Sequence, residues 1–416
     1  MSMFQLTSIV IALVALFGYL NHKLIKLPDT IGMTAVGLVA WVAIALSGKF
    51  IPEVSQWATH TVEAVDFSET VFHGLLGLLL FAGSLHIDLG DMAKEKWAIG
   101  ILATVGVLLS TILVGAGMYL ASQALQLQLE FIHCLLFGAL ISPTDPIAVL
   151  ALLRKLGVPK SLETRIAGES LFNDGTGVVA FVTLLGIASA GHFEPPGAIA
   201  LLLAREVVGG IAVGLGIGLV GFVMLKGVDG YPIEIMITLA MATAGYAFAE
   251  MVHVSAPIAA VVMGLLVGNQ GRRLAMSEST RQHLFSFWEL LDELLNLLLF
   301  GLIGIEIIAL PMTATQLFVA VIAIPVVLLA RLVSVAVPLT AMQPFLGSSQ
   351  RAIGIMTWGG LRGGISVALA LTLPPFVGRE IVIAATYGVV IFSILVQALT
   401  LGAVVRAWTA QRKPVA

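Results

Sequence analysis

The chain alternates long apolar runs with short polar stretches that often contain Pro or Gly. A helix needs roughly 20 apolar residues to cross a bilayer core of about 30 Å, and about thirteen runs meet or approach that length. Numbered in chain order as spans one to thirteen, they are residues 4–21, 30–48, 67–86, 97–124, 131–153, 163–190, 199–225, 232–252, 255–269, 282–309, 314–342, 349–373 and 379–406. The pattern predicts an all-α polytopic membrane protein with about thirteen transmembrane helices.

Composition supports the membrane assignment. Of the 416 residues, 59% are hydrophobic and only 11% are charged, whereas about a quarter of residues are charged in soluble proteins. The net charge of -3 carries no basic excess, which argues against nucleic acid as a partner. A single cysteine, Cys134, excludes an internal disulfide and a cysteine-based metal cluster.

The distribution of Lys and Arg predicts an orientation, because cytoplasmic loops carry an excess of these residues. With the amino terminus outside, the cytoplasmic ends of the spans hold most of the 21 Lys and Arg residues, and the outer ends hold only Lys49, Arg205 and Arg379. The charges therefore predict an outside amino terminus and a cytoplasmic carboxyl terminus. We expect the first apolar run, which no basic residue precedes, to be retained rather than cleaved as a signal peptide.

Span five contains a sequence that cannot form a continuous helix. Pro143 and Pro146 each remove an N–H donor and clash with a carbonyl four residues earlier. Irregular backbone inside a membrane survives only where it lines a cavity or is buried in protein. The freed carbonyls, the Thr144 hydroxyl and the Asp145 carboxylate are hard oxygen ligands that suit a small cation. A proline kink with a buried, paired Asp145 is the structural alternative.

Span six carries a polar cluster with helical spacing. Ser170 and Asp174 are four residues apart on one face, and Glu169 and Asn173 lie on the adjoining face. A hydroxyl, a carboxylate and a carboxamide therefore come together within about one turn. Protons and metal cations can compete for such a buried carboxylate. Asp174 is the predicted ion-binding carboxylate, and a purely structural polar cluster is the alternative.

Span twelve predicts a second broken helix, because four glycines surround Arg362 at mid-membrane. A buried arginine needs either a carboxylate partner or freed carbonyls. We predict that Arg362 pairs with Glu169, while Arg331 in span eleven is a further buried charge. Glycines that merely permit tight helix packing are the alternative explanation.

The two broken helices indicate an internal repeat. Broken helices at corresponding positions in two halves mark the binding site of many transporters. Spans five and twelve are an odd number of spans apart, which predicts two halves of opposite orientation. The predicted repeats cover about 4–190 and 232–406, with a connector helix at 199–225, in a single membrane domain over 1–416 that has no soluble domain.

Two strings of the sequence closely resemble a known family. They are SPTDPIAVLALLRKLGVPKSLETRIAGESLFNDGTGVV in spans five and six and TWGGLRGGISVALAL in span twelve. Both are similar to the NhaP-type sodium/proton antiporters, which are relatives of the animal sodium/proton exchangers. The resemblance implies an NhaA-like antiporter fold, a homodimer in which a six-helix core moves against an interface domain, and the plasma membrane of a prokaryote as the location.

The resemblance also implies roles for individual residues. The Asn173-Asp174 pair matches the family's Asn-Asp pair, whose Asp binds Na+ and protons alternately, and Ser170 matches a coordinating serine. Thr144-Asp145-Pro146 matches the unwound segment, so Asp174, Ser170 and Thr144 are the implied Na+ site. The resemblance also implies that Glu169 and Arg362 form a structural ion pair. It further implies that Asn173 is a mark of electroneutral exchange.

The third span departs from the family pattern. Phe81-Ala82-Gly83 stands where several members carry an acidic residue before a small residue and Gly. Whether this span supplies a second coordinating ligand therefore stays open, and so does the selectivity among Na+, Li+ and K+.

The predicted function is secondary exchange of a monovalent cation, Na+ first, for a proton, without a cofactor. Two alternatives from other classes remain at this point. A cation channel would need no proton counterflow, and an intramembrane aspartyl protease would use Asp145 and Asp174 as paired acids. The eight His residues are scattered without metal-ligand spacing, which disfavours a metalloenzyme.

Overall fold

The computed structural model describes residues 3–47, 67–190, 195–307, 313–343 and 350–409. Within these ranges the chain is helical and contains no strand, only one isolated bridge. In chain order the helices are α1 (Phe4–Ile25), α2 (Asp29–Ser47), α3 (Phe67–Leu85), α4 (Leu89–Lys94), α5 (Lys96–Ala124), α6 (Phe131–Ile141), α7 (Ile147–Lys155), α8 (Lys160–Ala190), α9 (Gly197–Lys226), α10 (Tyr231–Met251), α11 (Ala256–Leu266), α12 (Glu278–Glu306), α13 (Ala314–Ala341), α14 (Gln350–Trp358), α15 (Gly364–Leu371) and α16 (Arg379–Ala407).

Several of these helices contain π-helical turns, and α11 continues through one of them into a short helix, Arg272–Leu274. The turns are Asn21–Ile25 in α1, Thr70–Leu75 in α3, Leu102–Gly106 in α5, Val267–Gly271 after α11 and Ser393–Gln397 in α16. π-Helical turns often occur at functional sites.

Each predicted span coincides with one helix or with a pair of short helices. Spans five and twelve correspond to the pairs α6 with α7 and α14 with α15. Eight of the described helices are long and apolar enough to cross a membrane, namely α1, α3, α5, α8, α9, α10, α13 and α16. The polytopic all-α fold is confirmed, while the count of thirteen and the orientation remain predictions. Three of the basic residues used for that orientation, Lys49, Arg412 and Lys413, lie outside the described residues.

Two hydrophobic clusters form the interior. One is centred on α6, α13 and α16, and the other is built from α3, α10 and α11 around the fully buried Trp288 of α12. The Trp288 ring packs on Phe81 with centroids 4.7 Å apart, and its indole N–H donates to the Thr238 hydroxyl at 2.9 Å. Large apolar side chains such as Val220 and Leu329 face outward, which suits a surface that contacts lipid.

The two broken helices cross each other, as the sequence predicts. Pro143 and Pro146 cannot donate helical hydrogen bonds, and the chain leaves the helical conformation from Ser142 to Pro146. At the crossing, the Asp145 amide donates a 2.8 Å hydrogen bond to the Leu361 carbonyl oxygen of the second break. Each unwound stretch thereby satisfies part of the backbone of the other.

Two glycines of the second break permit close approach of charged groups. A Cβ atom added to Gly363 would lie 2.7 Å from Asp145 Oδ2, and one added to Gly360 would lie 2.5 Å from the Nε of Arg331. Both separations are too short for any side chain to be accommodated without movement. The glycine-rich sequence therefore does more than permit tight helix packing.

Two ion pairs fix the amino-terminal end of α8. Arg165 is buried, and its Nε and Nη2 donate to Glu95 Oε2 at 3.1 and 2.7 Å. Lys160 contacts Asp91 at 2.5 Å, and its hydrogen bond, together with that of Lys94, holds the pKa of Asp91 at about 2. The Asp91 carboxylate is therefore ionised at neutral pH, and both pairs anchor the helix that carries the span-six cluster.

We expect Arg165→Met to lower the free energy of unfolding by about 3 kcal/mol, because it strands the largely buried Glu95 carboxylate without its cation. Thermal or denaturant unfolding in detergent measures the change. Lys160→Met is the matched control, since that side chain is 75% exposed and its loss should leave the free energy of unfolding nearly unchanged. Equal losses in the two variants would contradict a structural role for the buried pair.

Candidate ion-binding site

Two side chains of α8 hold the first unwound stretch through Thr144. The Asn173 Oδ1 accepts a hydrogen bond from the Thr144 amide at 3.2 Å, and its Nδ2 donates to the Thr144 hydroxyl at 2.8 Å. The Ser170 hydroxyl donates to the Thr144 carbonyl oxygen. All three residues are buried. The structure thus brings together three of the residues that the sequence groups into one site.

Asp174 lies beside this cluster and borders a cavity. Its side chain is nearly buried, yet within the described part of the chain its carboxylate has no hydrogen-bond or ion-pair partner. Asp145 is close enough to interact with it electrostatically, and Asp145 Oδ1 itself accepts from the Ile147 amide at 2.9 Å. An unpartnered carboxylate at this depth needs a cation or a proton.

The cavity that reaches Asp174 has a volume of about 570 Å³. Thr144, Asp145 and Asp174 form part of its wall, and the exposed His86 and Arg154 also line it. Because a water molecule occupies about 30 Å³ in the liquid, the space admits a cation with part of its hydration shell.

Arg362 is placed differently from our prediction, which paired it with Glu169. Its Nη1 donates to the carbonyl oxygens of Ser142 and Pro143 at 2.5 and 2.9 Å. The Ser142 carbonyl is one that Pro146 deprives of a helical donor. The second unwound stretch lies against the first, so Arg362 reaches freed carbonyls and not a carboxylate.

Glu169 pairs instead with Arg331 of α13. Two guanidinium nitrogens donate to the two carboxylate oxygens, at 2.5 Å for Nη1 to Oε1 and 2.9 Å for Nη2 to Oε2. The Arg331 Nη2 also donates to the Met356 carbonyl at 3.3 Å. The predicted buried ion pair thus exists but uses the other intramembrane arginine. The choice between the two arginines could not be predicted, because contacts between distant spans leave no local pattern in the sequence.

A π-helical turn in α16 holds the second unwound stretch. The Arg362 amide donates to the Ser393 hydroxyl at 2.9 Å, and that hydroxyl donates to Gln397 Oε1 at 2.8 Å. The Gln397 Nε2 then donates to the Trp358 carbonyl at 3.1 Å. Ser393 and Gln397 are not among the predicted site residues, although two polar side chains in an otherwise apolar span were an available signal.

Charge around the crossing is nearly balanced. Five buried or half-buried ionisable groups lie near the crossing on the two unwound stretches, α8 and α13, namely three carboxylates and two guanidinium groups, which leaves one negative charge when all are ionised. The carboxylates are Asp145, Glu169 and Asp174, and the guanidinium groups are Arg331 and Arg362. Asp292 of α12 lies on another part of the cavity wall and is not counted in this set. One monovalent cation or one proton therefore neutralises the set.

The third helix brings no carboxylate to the cavity. Phe81 and Ala82 are fully buried in packing contacts, and the described residues of α3 that line the cavity are apolar or glycine. The wall formed by α12 contains Asp292 and Asn296. Neither residue is among the site residues predicted from the sequence.

Known proteins resemble this chain over nearly its whole length. The model of the family described as "Sodium/hydrogen exchanger, transmembrane" matches residues 9–407. The Na(+)/H(+) antiporter NhaP of Pseudomonas aeruginosa is 46% identical over 409 residues, covering 97% of this chain and 96% of the relative. The Na(+)/H(+) antiporter NhaH of Halobacillus aidingensis is 35% identical over 389 residues, covering 92% and 93%.

A solved structure shares the fold. The sodium proton antiporter MjNhaP1 from Methanocaldococcus jannaschii matches with a TM-score of 0.74 and 19% identity, covering 97% of this chain and 99% of that one. At this identity the likeness shows the antiporter fold alone, in agreement with the fold predicted from the sequence.

A double-mutant cycle tests the buried pair. We expect Glu169→Gln and Arg331→Met each to lower the free energy of unfolding by about 3 kcal/mol, because each strands a buried charge. The double variant should lose less than the sum of the two, since neither charge then remains. Unfolding in detergent measures all three. Strictly additive losses would show that the two side chains do not interact.

Proposed function

We propose that this chain, which belongs to the sodium/hydrogen exchanger family and exchanges a monovalent cation for a proton, carries out the exchange at Asp174. It is a transporter and not an enzyme, so the channel and the aspartyl protease are set aside. The observation that carries the assignment to Asp174 is its carboxylate, which borders the cavity without a partner among the described residues.

In this proposal the cation is Na+ and its oxygen ligands are the Asp174 carboxylate, the Ser170 hydroxyl and Thr144. The names of the relatives support sodium as the substrate. The hydrogen bonds of Asn173 and Ser170 to Thr144 hold these oxygens in one place before an ion arrives, which reduces the entropic cost of binding. Li+ and K+ are the competing cations. No resident cofactor is required.

Exchange follows from competition for one carboxylate. With either a cation or a proton bound, the charges around the crossing sum to zero, and with neither bound they leave one negative charge. A net charge is costly to move through a medium of low dielectric constant. The occupied forms therefore reorient and the empty form does not, which gives one cation for one proton and no net charge transfer.

Alternating access in this proposal uses the repeats of about 4–190 and 232–406, which α9 connects. The crossing of the two broken helices supports the division. The amino terminus lies outside and the carboxyl terminus in the cytoplasm. This orientation places Arg154, which lines the cavity, at the cytoplasmic end of span five, so the cavity opens toward the cytoplasm. The protein acts as a homodimer in the plasma membrane of a prokaryote, where it serves pH and sodium homeostasis.

We expect Asp174→Asn to abolish Na+-driven proton flux, because a carboxamide can neither release a proton nor carry the compensating charge. The flux is measured in proteoliposomes with an internal pH dye. Asp88→Asn is the matched control, since Asp88 is exposed and serves as a helix N-cap, a position at which Asn is equally good. Persistent flux in Asp174→Asn would refute the assignment.

Electroneutral exchange predicts insensitivity to voltage. A membrane potential of about 100 mV changes the driving force by roughly 2.3 kcal/mol for each net charge moved. We expect the initial rate of Na+-driven proton flux in wild-type proteoliposomes to be the same with this potential imposed or clamped to zero. A rate that follows the sign of the potential would contradict one-for-one exchange.

A further inference from the structure

Helix α12 presents a polar face to the cavity that Asp174 also borders. Glu289, Asp292, Glu293 and Asn296 all line the cavity, and their spacing places them on one side of the helix. Glu289 and Glu293 are exposed, Asp292 is half-buried and Asn296 is buried. The face therefore runs from the mouth of the cavity into its interior.

Asp292 is an acid without a cation. Among the described residues it has no ion-pair partner. In contrast, Glu95 and Glu169 each pair with a buried arginine. Asp292 is also close enough to Asp145 for the two carboxylates to repel each other. A half-buried carboxylate in this field attracts a mobile cation.

Asn296 is a second, independent sign of a ligand. Its side chain is only 4% exposed, and its Nδ2 donates to the Asp292 backbone carbonyl at 2.8 Å. Its Oδ1 has no hydrogen-bond partner among the described residues. A buried acceptor that lacks a donor is unfavourable unless a cation or a hydrated ion satisfies it.

Among the described residues, the cavity wall outside α12 offers no carboxylate next to an unpartnered amide oxygen, although it does contain the buried and unpartnered Ser366 Oγ. The wall formed by α3 contributes apolar residues such as Leu79 and Leu80 and the glycine Gly83. Apart from Asp145 and Asp174, the carboxylates that line the cavity all come from α12. A cation that enters meets oxygen ligands first on this helix.

We propose that Asp292 and Asn296 form a staging site for a partly hydrated monovalent cation, Na+ or Li+, which the ion occupies before it reaches Asp174. The inference rests on the proposed function, since it needs transport through Asp174. The oxygen ligands are the Asp292 carboxylate and the Asn296 Oδ1, with water completing the shell.

The packing of α12 sets the consequence for transport. This helix packs mainly against α1, α2, α3 and α10 and makes fewer contacts with α15, which follows the second unwound stretch. Asp174 lies on α8, so a cation held on α12 must leave this helix before Asp174 can carry it. Loss of the site should weaken cation capture without slowing the saturated transport cycle.

The test is the Na+ dependence of proton flux in proteoliposomes. We expect Asp292→Asn and Asn296→Leu each to raise the half-saturating Na+ concentration about tenfold, the size expected for loss of one charged or ion-dipole contact, while the maximal rate stays within about twofold of wild type. Unfolding in detergent verifies that both variants are folded.

Glu293→Gln is the matched control, because it removes one negative charge from the same face of α12 at an exposed position. It should leave the half-saturating concentration nearly unchanged at physiological salt, since the exposed charge is screened. An equal rise in Glu293→Gln would overturn the proposal, because total charge at the mouth would then explain the effect. An unchanged value in Asp292→Asn would also overturn it.

Binding of radiolabelled Na+ separates this proposal from the function of Asp174. In purified Asp174→Asn we expect weak binding that the added Asp292→Asn change abolishes. Binding that survives the second change would overturn the staging site. An absence of Na+-driven proton flux in the wild type would instead refute the proposed function, and the binding result would still decide on Asp292.

Discussion

The donation of hydrogen bonds by Arg362 to the carbonyls of Ser142 and Pro143 is the interaction on which the site depends. Two prolines leave carbonyl oxygens without helical donors at a depth where water cannot replace them. Arg362 supplies both donors and at the same time offsets negative charge close to Asp145. Without Arg362, the carbonyl oxygens of Ser142 and Pro143 would lose the donor that the structure gives them, and the segment that carries Thr144 would be less well held.

Support for this interaction comes from two sides. Ser393 and Gln397 hold the backbone of the stretch that carries Arg362, and Gly360 leaves room for the neighbouring Arg331. Arg331 in turn neutralises Glu169, which leaves Asp174, one turn along the same helix, as a carboxylate free to bind. Glu169, Arg331 and Arg362 thus stabilise the structure, whereas Asp174 is the charge that exchanges one bound partner for another.

Much of this arrangement could be predicted from local sequence. Pro143, Pro146 and the glycines around Arg362 determine where helices break, and the spacing of Ser170 and Asp174 places both side chains on one helical face. The partner of Glu169 could not be predicted, because two arginines on different spans satisfy the same electrostatic requirement. The positions of Asp292 and Asn296 in the cavity could not be predicted for a related reason. Acidic residues near the end of a span are typical of a solvated helix end, and only tertiary packing places this face of α12 against a cavity.

The most direct test of competition at one carboxylate is the release of protons when Na+ binds to purified protein. Metal-ion binding releases a proton when the ligand must be deprotonated. Calorimetric titration of wild-type protein in detergent, repeated in buffers with different ionisation enthalpies, should show about one proton released for each cation bound at a pH where Asp174 is protonated, and Asp174→Asn should release none. If the wild type binds Na+ tightly without releasing a proton, or if proton release persists in Asp174→Asn, the account is contradicted.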